Sequence, residues 1–264
     1  MPTRDESLGL LRWLVDAGAD EAVQDAPVDC FAAPVKSPAP TPTAFRTAPR
    51  VPTQAAQAVS AGTGTGAARE IAGACQTLEE LKAALENFNG CELKRTAKHT
   101  VFARGNPAAR IMFVGEAPGR DEDEQGLPFV GRAGQLLDRM LAAASLDQSN
   151  IYITNVLNWR PPQNRDPTPE EAAICLPFLR RHIELAAPEI LVMLGAVAVR
   201  HVLGLTEGIM RLRGNWQVYQ SGSRVIPVMP TLHPAYLLRQ PSSKRFAWRD
   251  MLAILEKANA LNNA

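Results

Sequence analysis

The chain has 264 residues, 46% of them hydrophobic and 21% charged, with a formal net charge of +1. That composition belongs to a folded globular chain and excludes wholesale disorder. No apolar run approaches the roughly 18 residues needed to span a bilayer, and four scattered cysteines (Cys30, Cys75, Cys91 and Cys175) do not make a disulfide scaffold.

The first residues include Asp5 and Glu6 and lack both a basic stretch and a small-residue cleavage site, so no secretory leader is expected. The cysteines should then be reduced and the chain cytoplasmic. Residues 5–25 read as a short amphipathic helix, with Leu8, Leu11, Leu14 and Val15 at helical spacing. Residues 26–76, rich in Pro, Ala, Thr and Gly, read as a flexible linker that buries too little apolar surface to offset its chain entropy. A folded domain is expected over 77–264. It opens with a Thr77-x-x-Glu80 capping box and a helix to about Phe88.

Strand-like runs then alternate with helical patterns. Strands are expected at 110–115, 151–157 and 189–195. A hairpin at 216–219 and 224–229 supplies the last core strand. Helices are expected at 134–145, 169–187 (kinked or split at Pro177), 196–203 and 242–259. The pattern predicts an α/β fold: three layers, with a mostly parallel four-stranded sheet between helices.

Charge is uneven along the chain. Residues 1–76 hold six Lys/Arg and eight Asp/Glu, whereas residues 77–264 hold 22 and 19. Between 200 and 249, Arg200, Arg211, Arg213, Arg224, Arg239, Lys244, Arg245 and Arg249 are opposed by Glu207 alone. Such a surplus suits a polyanion, although arginines on helix surfaces also serve solubility.

Ligands of parallel sheets bind beyond the carboxyl ends of the strands. The segments there are Gly115-Glu116-Ala117-Pro118-Gly119 with Glu122, Asp123 and Phe129, then Asn155 with Asn164 and Arg165, and finally His233-Pro234-Ala235-Tyr236-Leu237-Leu238-Arg239. Taken singly, each has a plain reading as a turn, a core plug or a loop. Together they offer carboxylates, a flat aromatic, an amide and an imidazole, a set able to stack a planar base and bond its edge. No phosphate loop and no dinucleotide fingerprint is present.

The segments GEAPGRDEDEQGLPFVGRAGQLLDRML, YITNVLNWRPPQNR and LHPAYLLR resemble those of family 4 uracil-DNA glycosylases, over about Cys91–Leu255. The resemblance implies removal of uracil from single- or double-stranded DNA by a monomer, leaving an abasic site. Under it, Phe129 stacks on the flipped uracil, Asn155 reads its edge, and Ala117 lines the uracil site through its backbone. His233 stabilises the leaving anion, and Glu116 positions water or stabilises the sugar cation, with Glu122 and Asp123 as alternatives. Leu237, Leu238 and Arg239 would enter the minor groove, with Asn164, Arg165, Tyr236, Lys244 and Arg245 completing the DNA contacts. No motif lysine is placed to form a Schiff base, so a monofunctional enzyme is expected; a non-catalytic binder of uracil-containing or abasic DNA is the alternative. The family's members hold a [4Fe–4S] cluster on four cysteines. This chain keeps two of those positions, Cys91 and Cys175, and has Phe88 and Trp159 at the others, so no cluster or other cofactor is expected.

Overall fold

The computed structural model describes residues 61–262; the expected helix at 5–25 and the part of the expected linker before residue 61 lie outside them. Five consecutive buried residues in each of three central strands build the middle of the domain: β2 (Ile111–Gly115), β3 (Ile151–Asn155) and β4 (Ile190–Leu194). Strands covered on both faces are apolar throughout rather than alternating. With β1 (Arg104–Gly105), β5 (Gln217–Ser221) and β6 (Arg224–Thr231) they form one sheet, in the order β1-β3-β2-β4-β6-β5.

The sheet therefore has six strands, not the expected four. Its four central strands are parallel, and an antiparallel strand is added at each edge, β1 on β3 and β5 on β6. Arg104–Gly105 is too short and polar to register as a strand by pattern; pairing with Tyr152 and Ile153 makes it one.

Side chains alternate between the two faces. Met112, Val114, Leu191 and Met193 meet a helical layer of α1 (Ala61–Ala74), α2 (Leu78–Asn87), α5 (Pro169–Ala186) and α6 (Ala196–Leu203). Ile111, Phe113, Ile153 and Val192 meet α4 (Arg132–Ala143) and α9 (Lys244–Asn262) on the other side. The expected three-layer α/β/α arrangement is what forms.

Helix α1 corrects the expected linker. Its Gly-Thr-Gly-Thr-Gly start is a poor helix former, but tertiary packing overrides that propensity. Ala68 and Ala72 are buried in the core, and a methyl on Gly64 would lie 3.1 Å from the Gly90 carbonyl and 3.4 Å from Ile174, an approach glycine permits. The folded unit thus begins at least sixteen residues before Thr77. Thr77 caps α2 as expected, its hydroxyl accepting from Glu80 N at 3.1 Å. Pro177 does not split α5, which runs unbroken to Ala186, anchored on both sides of the proline by Ala172, Ile174, Cys175, Phe178 and Leu179. Three short helices also form outside the expected ones: α3 (Arg120–Gln125), α7 (Ile209–Leu212) and α8 (Pro234–Arg239).

Candidate active site

From β2 the chain moves to its neighbour β3, and from β4 it moves the other way, to β6. A crevice opens at the carboxyl ends of the strands where these paths diverge. It is a cleft of about 440 Å³, lined by Glu116, Ala117, Phe129, Asn155, Asn164, Arg165, Asp166, His233 and Arg239 among others. Glu116 directly follows β2, Asn155 ends β3, and His233 stands two residues past β6.

Phe129 and Asn155 close over Gly115. A methyl there would fall 2.4 Å from Asn155 Oδ1 and 2.5 Å from Phe129 Cζ, so only glycine leaves both in place. Phe129 has φ of +56°, a region unfavourable for a bulky residue, and is 5% exposed. Two features hold it there. The Glu122 carboxylate accepts from Gly119 N at 3.1 Å, Val130 N at 3.0 Å and Gly131 N at 2.9 Å, which ties both ends of the loop together. Gly134 lets α4 lie directly against the Phe129 carbonyl, where a methyl would collide at 1.7 Å.

Asn155 is buried, and among the described residues its Oδ1 has no hydrogen-bond partner. A buried acceptor left unpaired is costly unless a ligand satisfies it. Across the cleft, His233 caps α8, its Nδ1 accepting from Ala235 N at 3.2 Å. Burial, reinforced by the Arg239 charge, pulls its pKa down to about 4, so the ring is neutral at pH 7. With Nδ1 an acceptor, the proton sits on Nε2, which is free to donate. The His233 and Phe129 rings lie 5.6 Å apart at 35°. Burial also pushes the Glu116 carboxyl up to about 7, with Asp166 adding to the shift and Arg200 opposing it. Asp166 is not among the expected site residues, and Arg200 is named only in the basic run; neither belongs to a motif, and only the fold brings their charges to bear on Glu116.

Of the expected site residues, Asp123, Tyr236, Leu237, Leu238, Lys244 and Arg245 do not line the cleft, and two of them, Asp123 and Leu237, are buried away from it. Asp123 is buried elsewhere, its carboxylate accepting from Lys98 N at 2.8 Å and its carbonyl from His99 Nδ1 at 2.7 Å, so it braces the 98–99 loop. Leu237, expected as a wedge, is fully buried with Leu136, Leu232 and Ala247, because the inward face of α8 needs an apolar anchor. Leu238 and Tyr236 are half-buried beside it, and Arg239, Lys244 and Arg245 are exposed. Arg245 lies over the Phe246 ring at 4.7 Å. Asn164 and Arg165 line the cleft but are also engaged locally, Asn164 Oδ1 accepting from Arg160 at 2.7 Å and Arg165 pairing with Glu171 at 2.5 Å.

Residues 102–253 match the family model described as the uracil DNA glycosylase superfamily. The chain belongs to that superfamily. It is 40% identical over 186 residues to a type-4 uracil-DNA glycosylase of Thermotoga maritima, covering 70% of this chain and 94% of the relative. It is 41% identical over 170 residues to the type-4 enzyme of Archaeoglobus fulgidus (63% and 85% covered) and 37% identical over 187 residues to that of Sulfurisphaera tokodaii (69% and 85%).

A [4Fe–4S] cluster of the kind the type-4 resemblance implies needs four thiolates. Cys91 and Cys175 are both buried, and the Cys175 thiol is pushed well above its ordinary range by its hydrogen bond to Cys91 and by burial. Phe88 and Trp159 stand at the two remaining positions, their rings 6.5 Å apart at 24°, and Phe178 meets Phe88 edge-on at 5.1 Å. Trp159 Nε1 donates to Thr100 Oγ1 at 3.0 Å. Two free thiols hydrogen-bonded to one another, with aromatic side chains at the other two positions, do not supply the four thiolates of the cluster. Cys75, the remaining described cysteine, bonds the Ile71 carbonyl at 3.3 Å within its own helix turn.

Proposed function

We propose that this chain is a monofunctional uracil-DNA glycosylase acting in DNA base excision repair. The observation that carries the reading is the buried, unpartnered Asn155 oxygen beside the Phe129 ring and opposite a neutral histidine donor.

A uracil flipped from DNA into the cleft stacks on Phe129 and donates N3–H to Asn155 Oδ1, while Asn155 Nδ2 donates to O4. Cytosine offers an acceptor at N3 and a donor at N4, so it leaves Asn155 mispaired and is rejected. As the glycosidic bond lengthens, negative charge gathers on the uracil; His233 Nε2–H donates to O2 and stabilises it without itself changing charge. Glu116, in its carboxylate form, orients the attacking water and offsets the positive charge on the sugar. The Ala117 methyl has no group able to act as a base, so Ala117 serves only as cleft wall. Glu122 acts on Phe129 through the backbone rather than on the substrate. Among the described residues no lysine lines the cleft, which supports simple hydrolysis to an abasic site over a Schiff-base route.

Arg239, Lys244 and Arg245 supply the DNA backbone contacts and Leu238 the wedge, with Asn164, Arg165 and Tyr236 at the rim. The chain works as a monomer in the cytoplasm, on single- or double-stranded DNA. No described helix is long and apolar enough to cross a membrane. It functions without an iron–sulfur cluster, a reading supported by the stacked Phe88 and Trp159 where ligands would have to be. Release of free uracil from a labelled oligonucleotide tests the activity. Tight binding of uracil-containing or abasic DNA with no release would make the chain a binder instead.

A further inference from the structure

His233 is held by a buried polar assembly outside the cleft. Asp250 on α9 is 1% exposed. Its Oδ2 accepts from the Thr231 hydroxyl at 2.6 Å and from Arg213 Nε at 3.0 Å; its other oxygen accepts from Arg213 as well. Arg213 continues to the Phe246 carbonyl at 3.1 Å. Gly214 (φ +74°) permits this approach, since a methyl there would lie 2.9 Å from Asp250 Oδ1.

Thr231 is the last residue of β6, two before His233, and it is gripped on both sides. Its carbonyl accepts from Gly195 N at 2.9 Å, and its hydroxyl is taken by Asp250. Gly195 (φ +95°) in turn brings the β4–α6 turn against the histidine, where a methyl would fall 3.0 Å from His233 Cβ. A buried charge fully occupied by hydrogen bonds is a rigid support, and a catalytic group must be held within about 0.5 Å of its working position.

We propose that Thr231 and Asp250 are positioning residues for His233, fixing its Nε2–H where charge develops on the leaving base. The inference rests on the reading of His233 as the anion-stabilising donor. It extends that reading to groups that touch no substrate.

The test is a double-mutant cycle in single-turnover uracil excision. Thr231→Val keeps the shape, removes the hydroxyl and leaves Asp250 paired with Arg213. It should slow excision about tenfold with the DNA Kd close to wild type, and the thermal midpoint should fall by several degrees while the protein remains folded at the assay temperature. Thr231→Ser should recover the rate to within about twofold. In a His233→Ala background, Thr231→Val should change the rate less than about twofold, because a positioning residue has no effect once its target is gone. A wild-type rate in Thr231→Val, or a full tenfold loss on top of His233→Ala, overturns the proposal. His233→Ala alone is measured first: if it excises uracil at the wild-type rate, the reading of the site itself fails, independently of the cycle.

Discussion

Truncating Trp159 to alanine tests whether two aromatic rings stabilise the region that a metal cluster would otherwise organise. The side chain is 1% exposed, stacks on Phe88 at 6.5 Å and donates to Thr100 Oγ1 at 3.0 Å. A buried tryptophan removes roughly 200 Å² from water, worth about 5 kcal/mol at about 25 cal/mol per Å². Alanine retains about 1 kcal/mol of that burial. Loss of the hydrogen bond and the stacked pair each adds about 1 kcal/mol to the cost. Partial collapse of Phe88, Phe178 and the two thiols into the void recovers part of the total. The net expectation is a loss of about 3–5 kcal/mol. Urea titration at pH 7, followed by fluorescence and circular dichroism together, measures it. Trp159→Phe, which keeps a ring but loses the indole donor, should cost less than half as much. A Trp159→Ala loss below about 1 kcal/mol would refute the reasoning, since it would mean that the rings do not brace the fold.

Protein prepared without oxygen should be colourless and hold no stoichiometric iron, whereas Phe88→Cys with Trp159→Cys rebuilds four thiols and should take up about four irons; iron analysis and absorbance near 400 nm decide both. Because the Glu116 pKa is raised to about 7, its carboxylate forms only as pH climbs through that value. Single-turnover excision should therefore rise through pH 7 and level off, and Glu116→Gln should be slower and flat. The same shift makes the folded state hold a proton that the unfolded chain releases near 4.5, so this group's stabilising effect is lost as pH rises from about 4.5 to about 7. His233 adds no inflection to the excision profile above pH 5, but its folded pKa of about 4 lies below the ordinary 6.5, so it lowers stability as pH falls from about 6.5 to about 4. Asn155→Asp should cut excision at least tenfold, since a carboxylate cannot donate to O4 and repels it; an unchanged rate in the release assay would make Asn155 structural. Leu237→Ala should lower stability by about 2–5 kcal/mol, while Leu238→Ala should weaken binding of uracil-containing duplex without unfolding the chain, as gel shift and thermal melting would separate.

The central strands were legible as short apolar runs because a parallel sheet covered on both faces leaves that mark on local sequence. The residues at their carboxyl ends were legible for a related reason: the β2, β3 and β6 ends each carry a compact motif, and strand order brings Glu116, Asn155 and His233 to one cleft. Motif alignment could also name Phe88 and Trp159 at two of the four ligand positions, and in the fold their rings stack. What composition could not reveal depended on partners distant in the chain. Gly62–Gly66 reads as linker in isolation and becomes helix because Ile174 and Gly90 lie against it. Asp123 and Glu122 are adjacent acids at a helix start, yet one faces a loop 25 residues upstream and the other the Phe129 loop, a division made by helical rotation. Leu237 and Leu238 look alike in sequence, and the packing of α8 on α4 and α9 buries the first and leaves the second half-buried. The links from Asp250 to Thr231 and from Asp166 and Arg200 to Glu116 span 19 to 84 residues of chain. Charge and hydrogen bonding act through space at a few ångströms, and no local pattern records which distant residues the fold will bring that close.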